Sequence, residues 1–235
     1  DHLIATKQAD KGVIVGYDTR FSSEDFATEA GLVLTTKGIP VYLCNQAAPT
    51  PVITSNIVAL NTAGAIIVTA SHNPSHWNGL KFRSSYAGSA SPDIISEIEQ
   101  YIRTTDCPKT LLTPQESWNK NLLTEIDPST QYLLNLPRIV NFTSVLKSNL
   151  RILIDIMHGS GGGYFSHLLG SVSGSVTEVR GERKAAFPGM IQPEPIEKNL
   201  QLLASMIIKT QASVGIALDG DGDRLGILNE KGKFL

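Results

Sequence analysis

The stretch Gly64-AIIVTASHNPSHWNGLK-Phe82 decides how this chain is read. Ala65, Ile66, Ile67 and Val68 form a short apolar run with β-branched residues, the pattern of a strand covered on both faces. The run stops at Ser71, His72, Asn73 and Pro74. Proline fixes φ and lacks an N–H, and serine and asparagine bond their own backbone, so a turn is expected there. That turn presents the Ser71 hydroxyl at the carboxyl end of the strand, where ligands of open α/β sheets bind. Asn78-Gly79 predicts a second turn and Leu80-Lys81-Phe82 a returning strand, which lets Lys81 swing back toward the serine. By pattern alone, a Ser-x-Asn-Pro turn is more often a turn than a nucleophile.

Working outward, apolar strands alternate with helical patterns. Val13–Val15 reads as a strand closed by Gly16 and followed by Asp18 and Arg20, an ion pair expected to shape the first loop. Ser22 with Asp25 suggests a capping-box start to a helix that carries Phe26, Ala27, Ala30, Val33 and Leu34 on one face and ends at Gly38. Ile39–Cys44 is a second strand, and Thr50-Pro51 an N-cap leading a helix to about Leu60. Strand, helix, strand, helix, strand in this order means a parallel sheet with helices on its faces. Ser91-Pro92 opens a further helix to about Arg103, with Ile94, Ile95, Ile98 and Ile102 inward. Periodicity then fades, which places a domain boundary near Thr124 and divides the chain into residues 1–124 and 125–235. The second part reads as a helix over Tyr132–Leu146, a strand over Arg151–Met157, and the glycine-rich His158–Tyr164 leading into another helix. An amphipathic helix over Ile196–Ile208, a strand over Val214–Leu218 and a hairpin from Leu225 follow. The expected class is α/β, two consecutive three-layer α/β/α domains with mixed, mainly parallel sheets.

The last strand delivers Leu218-DGDGDR-Leu225. Asp219, Asp221 and Asp223 are spaced by two, so in an extended segment their carboxylates project on one side. Three like charges that close raise one another's pKa unless a cation compensates, and a hard divalent metal such as Mg²⁺ is the natural partner. A calcium loop of EF-hand type fits less well. Glu230 stands at its twelfth position, but Arg224 occupies the sixth, where glycine is required, and a strand rather than a helix precedes Asp219. A phosphatase in which Asp219 is itself phosphorylated stays open.

Composition bounds the remaining classes. At 235 residues, 41% hydrophobic, 18% charged and with a net charge of -2, the chain lacks the basic stripe of a nucleic-acid binder. No apolar run reaches the roughly 18 residues of a membrane helix and no signal core stands at the N-terminus, so a cytoplasmic location is the default expectation. Cys44 and Cys107 lack metal-ligand spacing and read as free thiols. The glycine run Gly159–Gly163 has neither the Lys-Ser/Thr of a P-loop nor dinucleotide-site spacing, so close backbone packing is expected. His76, Trp77 and His158 read as structural.

Thr69-ASHN-Pro74 and Asp219-GDGD-Arg224, with Val13-IVGYDT-Arg20, Ala48-PTP-Val52 and Ile154-DIMH-Gly159, resemble the phosphoglucomutase and phosphomannomutase branch of the α-D-phosphohexomutases. The resemblance implies a four-domain enzyme of which this chain is the first two domains, without the extreme N-terminus of the first. It implies that phosphorylated Ser71 passes its phosphoryl group to a hexose phosphate through a hexose 1,6-bisphosphate. It further implies Mg²⁺ held by Ser71, Asp219, Asp221 and Asp223. Lys81 and His72 would move protons, and Ser71, Lys81, Asp223 and Arg224 would contact substrate. Its partners would be hexose phosphates and the C-terminal domains of the same polypeptide, with no nucleic acid and no membrane. Thr69, where the glucosamine branch tends to carry serine, points to glucose or mannose, glucose first. Beside this stand the aspartyl-phosphate phosphatase and a non-catalytic module that binds metal and sugar phosphate.

Overall fold

A computed structural model of the chain describes residues 1–170 and 176–235. The first unit is a five-stranded sheet in the order β4-β3-β1-β2-β5. Its strands are β1 (Val13–Tyr17), β2 (Val41–Cys44), β3 (Gly64–Val68), β4 (Leu80–Ser84) and β5 (Leu123–Ile126). Only β4 runs antiparallel, returning beside β3 in the register Ile67↔Lys81. The helices of this unit are α1 (His2–Ala5), α2 (Ser23–Thr36), α3 (Thr50–Leu60), α4 (Pro92–Thr104) and α5 (Pro114–Asn119).

Every residue of β1 is buried, because alternate side chains enter different cores. Val13, Val15 and Tyr17 join Ala27 of α2, and Ile14 joins Val52, Ile53 and Ile57 of α3. The second unit contains α6 (Ser129–Asn135), α7 (Phe142–Leu146), β6 (Ile152–Asp155), α8 (Tyr164–Leu169) and β7 (Val176–Val179). It ends with α9 (Gln201–Thr210), β8 (Val214–Leu218) and β9 (Leu225–Leu228). Its sheet order is β7-β6-β8-β9 with β9 antiparallel. Leu200, Leu203 and Ile207 of the α9 region seal one face against Leu153 and Ala217.

Taken in reverse, β9-β8-β6-β7 repeats β4-β3-β1-β2. In both units a central parallel strand turns directly into an antiparallel edge strand, β3 into β4 and β8 into β9. Ser71 follows the first of these strands and Asp219 the second, so the two loops are equivalent positions of a repeated topology.

Several boundaries differ from the sequence reading. The cut at Thr124 falls inside β5, whose Leu123–Ile126 pair with Val41–Cys44, so the first sheet closes at Ile126. The Tyr132–Leu146 helix is three pieces, α6, a short 3-10 turn over Leu136–Arg138, and α7, because Pro137 cannot continue an α-helix. Ser22 does not cap α2 with its side chain. It lies in the left-handed region at φ 55, and the neighbouring Ser23 hydroxyl bonds Asp18 instead. Phe26 is exposed. In α4 no residue is fully buried and Ile95 and Ile102 face solvent, although Ser91 caps the helix as expected. Helix α5 and strand β7 were not foreseen. The former carries a full Thr113/Glu116 capping box within the stretch read as irregular.

The glycine run packs backbone on backbone. A Cβ on Gly159 would stand 2.7 Å from the Gly220 carbonyl oxygen and 3.0 Å from that of Asp219. Neither can yield without moving the aspartate loop, so Gly159→Ala is expected to cost about 1–3 kcal/mol of stability. Chemical denaturation of the variant beside wild type checks this, and an unchanged midpoint would contradict it.

Candidate active site

Ser71 is the residue from which the site is built. It lies two residues beyond Thr69, which itself follows β3, and its φ of 53° puts it in the left-handed region. Thr69 fixes the approach. Its hydroxyl donates to Asp18 Oδ2 at 2.6 Å and accepts the Ser71 N–H at 2.8 Å. Asp18 also accepts from the Arg20 N–H at 3.0 Å and the Ser23 hydroxyl at 2.9 Å.

From the first unit the Ser71 hydroxyl donates to Asp219 Oδ2 of the second at 3.1 Å. Asp219 Oδ1 accepts the N–H groups of Asp223 and Arg224 at 3.0 and 3.1 Å. The loop is therefore a tight turn, with Gly222 at φ 66°, and not the extended segment read from the spacing. The turn, rather than strand alternation, brings the three carboxylates together, with one oxygen of each within 4.8 Å of the others.

Asp221 is fully buried. Its Oδ2 accepts Thr50 Oγ1 at 2.5 Å and Lys81 Nζ at 2.7 Å, and its carbonyl accepts the Thr50 N–H at 2.8 Å. Thr50 is thus the first residue of α3, and its hydroxyl serves the acidic loop instead of capping the helix. Lys81 also donates to Asp223 Oδ2 at 3.0 Å, and Arg83 stands 3.6 Å from the same oxygen. Arg224 Nη1 donates to His72 Nδ1 at 2.6 Å. Guanidinium has no acceptor, so His72 Nδ1 accepts and its hydrogen resides on Nε2, free to donate. The structure therefore gathers all seven residues singled out in the sequence, Ser71, His72, Lys81, Asp219, Asp221, Asp223 and Arg224. Thr50, Arg83 and the contacts of Arg20 were missed.

Burial, reinforced by Asp221 and Asp223, pushes the Asp219 carboxyl up to about 7. Burial acts on Asp221 in the same sense, but the Lys81 ammonium and the Lys81 and Thr50 hydrogen bonds outweigh it and hold that carboxyl below its usual range. One proton shared within the cluster accordingly sits on Asp219, the member with no cationic partner. Linkage gives the sign. A carboxyl raised in the folded state contributes stability that is complete below the unfolded value and is lost as pH rises through about 7. The metal-free protein is expected to lose stability between pH 5 and pH 8, by at most about 1.4 kcal/mol per pH unit. Asp221 acts in the opposite sense only below the ordinary carboxylate range, outside this window. Melting temperatures measured in a chelator across that range check it, and a curve rising toward pH 8 would contradict it.

The donor set fits a hard divalent cation. It offers three carboxylates, and Asp221 Oδ1 is buried without a hydrogen-bond partner, an oxygen whose lone pairs call for a ligand. Cys44 is buried and Cys107 exposed, both free and remote from these contacts. Among the described residues, no helix is long and apolar enough to cross a membrane.

Fold and site together define a class: a tandem α/β/α protein with a divalent-metal carboxylate cluster facing a serine across the seam between its units. Comparison with known proteins narrows it. Residues 2–109 match the phosphoglucomutase/phosphomannomutase alpha/beta/alpha domain I, and residues 130–232 match domain II. The chain belongs to the phosphoglucomutase/phosphomannomutase family. It is 30% identical over 226 residues to a Pyrococcus furiosus protein named "Probable phosphoglucosamine mutase", covering 95% of this chain and 47% of that one. It is 30% identical over 241 residues to the phosphoglucomutase of Neisseria meningitidis serogroup B, covering 99% and 48%. The crystal structure of a Thermus thermophilus protein bearing the name phosphomannomutase superposes with a TM-score of 0.87 at 27% identity, covering 99% of this chain and 51% of that one. The chain spans about half the length of the curated relatives it matches.

Proposed function

We propose that these residues are the phosphoryl-transfer half of a mutase that interconverts hexose 1-phosphate and hexose 6-phosphate through a phosphorylated Ser71 and a hexose 1,6-bisphosphate. The observation that carries this reading is the 3.1 Å bond between the Ser71 hydroxyl and Asp219, two groups 148 residues apart. It puts a nucleophilic oxygen at the edge of a metal-type cluster, and phosphoryl transfer asks for little beyond such alignment and charge neutralisation.

In the proposed step the Oγ–P bond of phospho-Ser71 breaks as a bond from phosphorus to a sugar hydroxyl oxygen forms. The hydroxyl loses its proton and Oγ gains one, so charge and atoms balance. Lys81, on a returning strand beside the acids, and the Nε2–H of His72 are placed to hold and pass that proton. Arg224 orients His72 and offers its remaining N–H groups to phosphoryl oxygens. Mg²⁺ held by Asp219, Asp221, Asp223 and a phosphoserine oxygen would supply charge withdrawal from the transferring group. Asp223 completes the contact with substrate beside Lys81.

Which sugar is handled is a separate matter. Thr69 is buried, and its hydroxyl is committed to Asp18 and the Ser71 N–H, so a serine there would do the same work. The glucose preference inferred from Thr69 therefore has no contact behind it. Glucose remains the first substrate to assay, with mannose and glucosamine phosphates beside it, since similar proteins carry all three names. The resemblance assigns sugar recognition and the distal phosphate clamp to further domains. Residues 1–235 alone are thus expected to bind Mg²⁺ but to turn over substrate poorly.

Intact-mass measurement after incubation with glucose 1,6-bisphosphate tests the reading. One added phosphate, stable to acid and mapped to the peptide containing Ser71, is expected. A hydroxylamine-labile phosphate on Asp219 would establish the phosphatase in its place. No phosphate on either residue would leave the metal and sugar-phosphate binding module.

A further inference from the structure

We propose that Arg20 is a positioning residue for phosphoryl transfer. Its guanidinium, pinned by Phe187 of the second unit, holds Ser71 in the left-handed turn that aims Oγ at Asp219. The inference rests on the function proposed above.

Left-handed backbone costs a non-glycine residue about 1–2 kcal/mol, so Ser71 at φ 53° persists only if its surroundings over-determine it. Arg20 supplies the restraint. Its side chain is fully buried, and all five guanidinium N–H groups are engaged. Nε meets Asp18 Oδ2 at 3.1 Å. Nη2 donates to the carbonyls of Ser71 at 2.7 Å and Asn73 at 2.6 Å, and Nη1 to those of Pro74 at 2.8 Å and Trp77 at 3.1 Å. Four carbonyls of one loop converge on a single rigid fork. Lysine, with three donors on one atom, cannot reproduce that geometry.

The fork is held from the other side of the seam. The Phe187 ring, itself fully buried, lies with its centroid 5.1 Å from Arg20 Cζ. Arg183, from the same segment, donates to the carbonyls of Thr19 at 3.2 Å and Arg20 at 3.5 Å. A Cβ on Gly220 would stand only 2.7 Å from the Ser71 carbonyl, so the aspartate loop itself closes on this turn. Arg20 makes no hydrogen bond to Asp219, Asp221 or Asp223 among the described residues. Loss of the clamp should therefore misplace Oγ without emptying the metal site, a separation that a merely structural ion pair would not produce.

The test uses the complete enzyme with Arg20→Lys and Phe187→Leu, measuring kcat and KM for hexose 1-phosphate, Mn²⁺ affinity, melting temperature and the rate at which Ser71 takes phosphate from glucose 1,6-bisphosphate. A misplacement on the order of 1 Å costs about 100-fold, so kcat and the phosphorylation rate of Arg20→Lys should fall by about that factor. KM and Mn²⁺ affinity should stay within about threefold of wild type, a shift worth under about 0.7 kcal/mol. Phe187→Leu, which keeps all five hydrogen bonds, should show the same pattern at about tenfold, and it decides the matter if Arg20→Lys does not fold. Wild-type kcat in a folded variant, or a loss of kcat matched by loss of metal affinity or of folded protein, overturns the clamp. Absence of phosphate on Ser71 in wild type overturns the proposed function with it, whereas normal phosphorylation of wild type and variants alike overturns the clamp alone.

Discussion

Exchanging Asp219 for asparagine is expected to weaken Mg²⁺ binding by about 100-fold or more while making the metal-free protein more stable at pH 8. The two effects have one origin. The acidic loop crowds three carboxylates around one point, and Asp219 is buried there with no cation of its own. Removing a charged ligand takes away attraction for the metal that no neighbour replaces; even loss of an outer-shell partner typically costs about 10–100-fold. Without metal, the same charge is a liability, which is why the carboxyl is pushed up to about 7. Asparagine keeps the geometry. Its Oδ1 can accept the N–H groups of Asp223 and Arg224, and its Nδ2 can donate to Ser71 Oγ in place of the bond running the other way. Melts in chelator at pH 5 and pH 8 should show the variant losing the wild type's decline, and calorimetric titration with Mg²⁺ should show the weakened binding. Wild-type affinity in Asp219→Asn would remove the aspartate loop from the metal site.

Ser71→Ala is expected to abolish phosphate incorporation and to lower mutase turnover of the complete enzyme by about 10⁴-fold or more, the scale on which loss of a covalent nucleophile is felt. Metal affinity should change little, because the aspartates keep their own contacts with Thr50, Lys81 and the loop backbone. Ser71→Gly separates chemistry from backbone. It should be equally inactive yet more stable than Ser71→Ala by about 1 kcal/mol, because glycine adopts a φ of 53° without penalty. Turnover retained by Ser71→Ala would sink the phosphoserine reading. Equal stability of the two variants would show that the serine turn carries no backbone strain.

Both predictions concern loops whose strings are plain in the sequence, and local physics explains why. Ala65–Val68 and Val214–Leu218 are apolar strands followed by turn formers, so their ends and the polar groups just beyond them follow from composition alone. Where the pattern is local, the reading holds: Ser91 caps α4, and Asn78-Gly79 turns the chain into β4. It fails where the partner decides. Ile95 and Ile102 have the spacing of a buried stripe, but too little packs over α4 to cover them. Thr50 has the chemistry of a cap, but a buried carboxylate from the other unit claims its hydroxyl. Helix α5 is legible through Thr113 and Glu116, yet its six residues are too few to show periodicity.

The sequence by itself determined two α/β/α units, a serine and three aspartates at strand ends, and the kinds of chemistry those groups allow. Only the tertiary structure decided that Ser71 and Asp219 meet, that Lys81 sits between Asp221 and Asp223, and that Arg20 grips four carbonyls of the serine loop. The reason is that periodicity and turn chemistry act over a few residues. Contacts across a domain seam depend instead on how two sheets dock, and no short-range pattern encodes that.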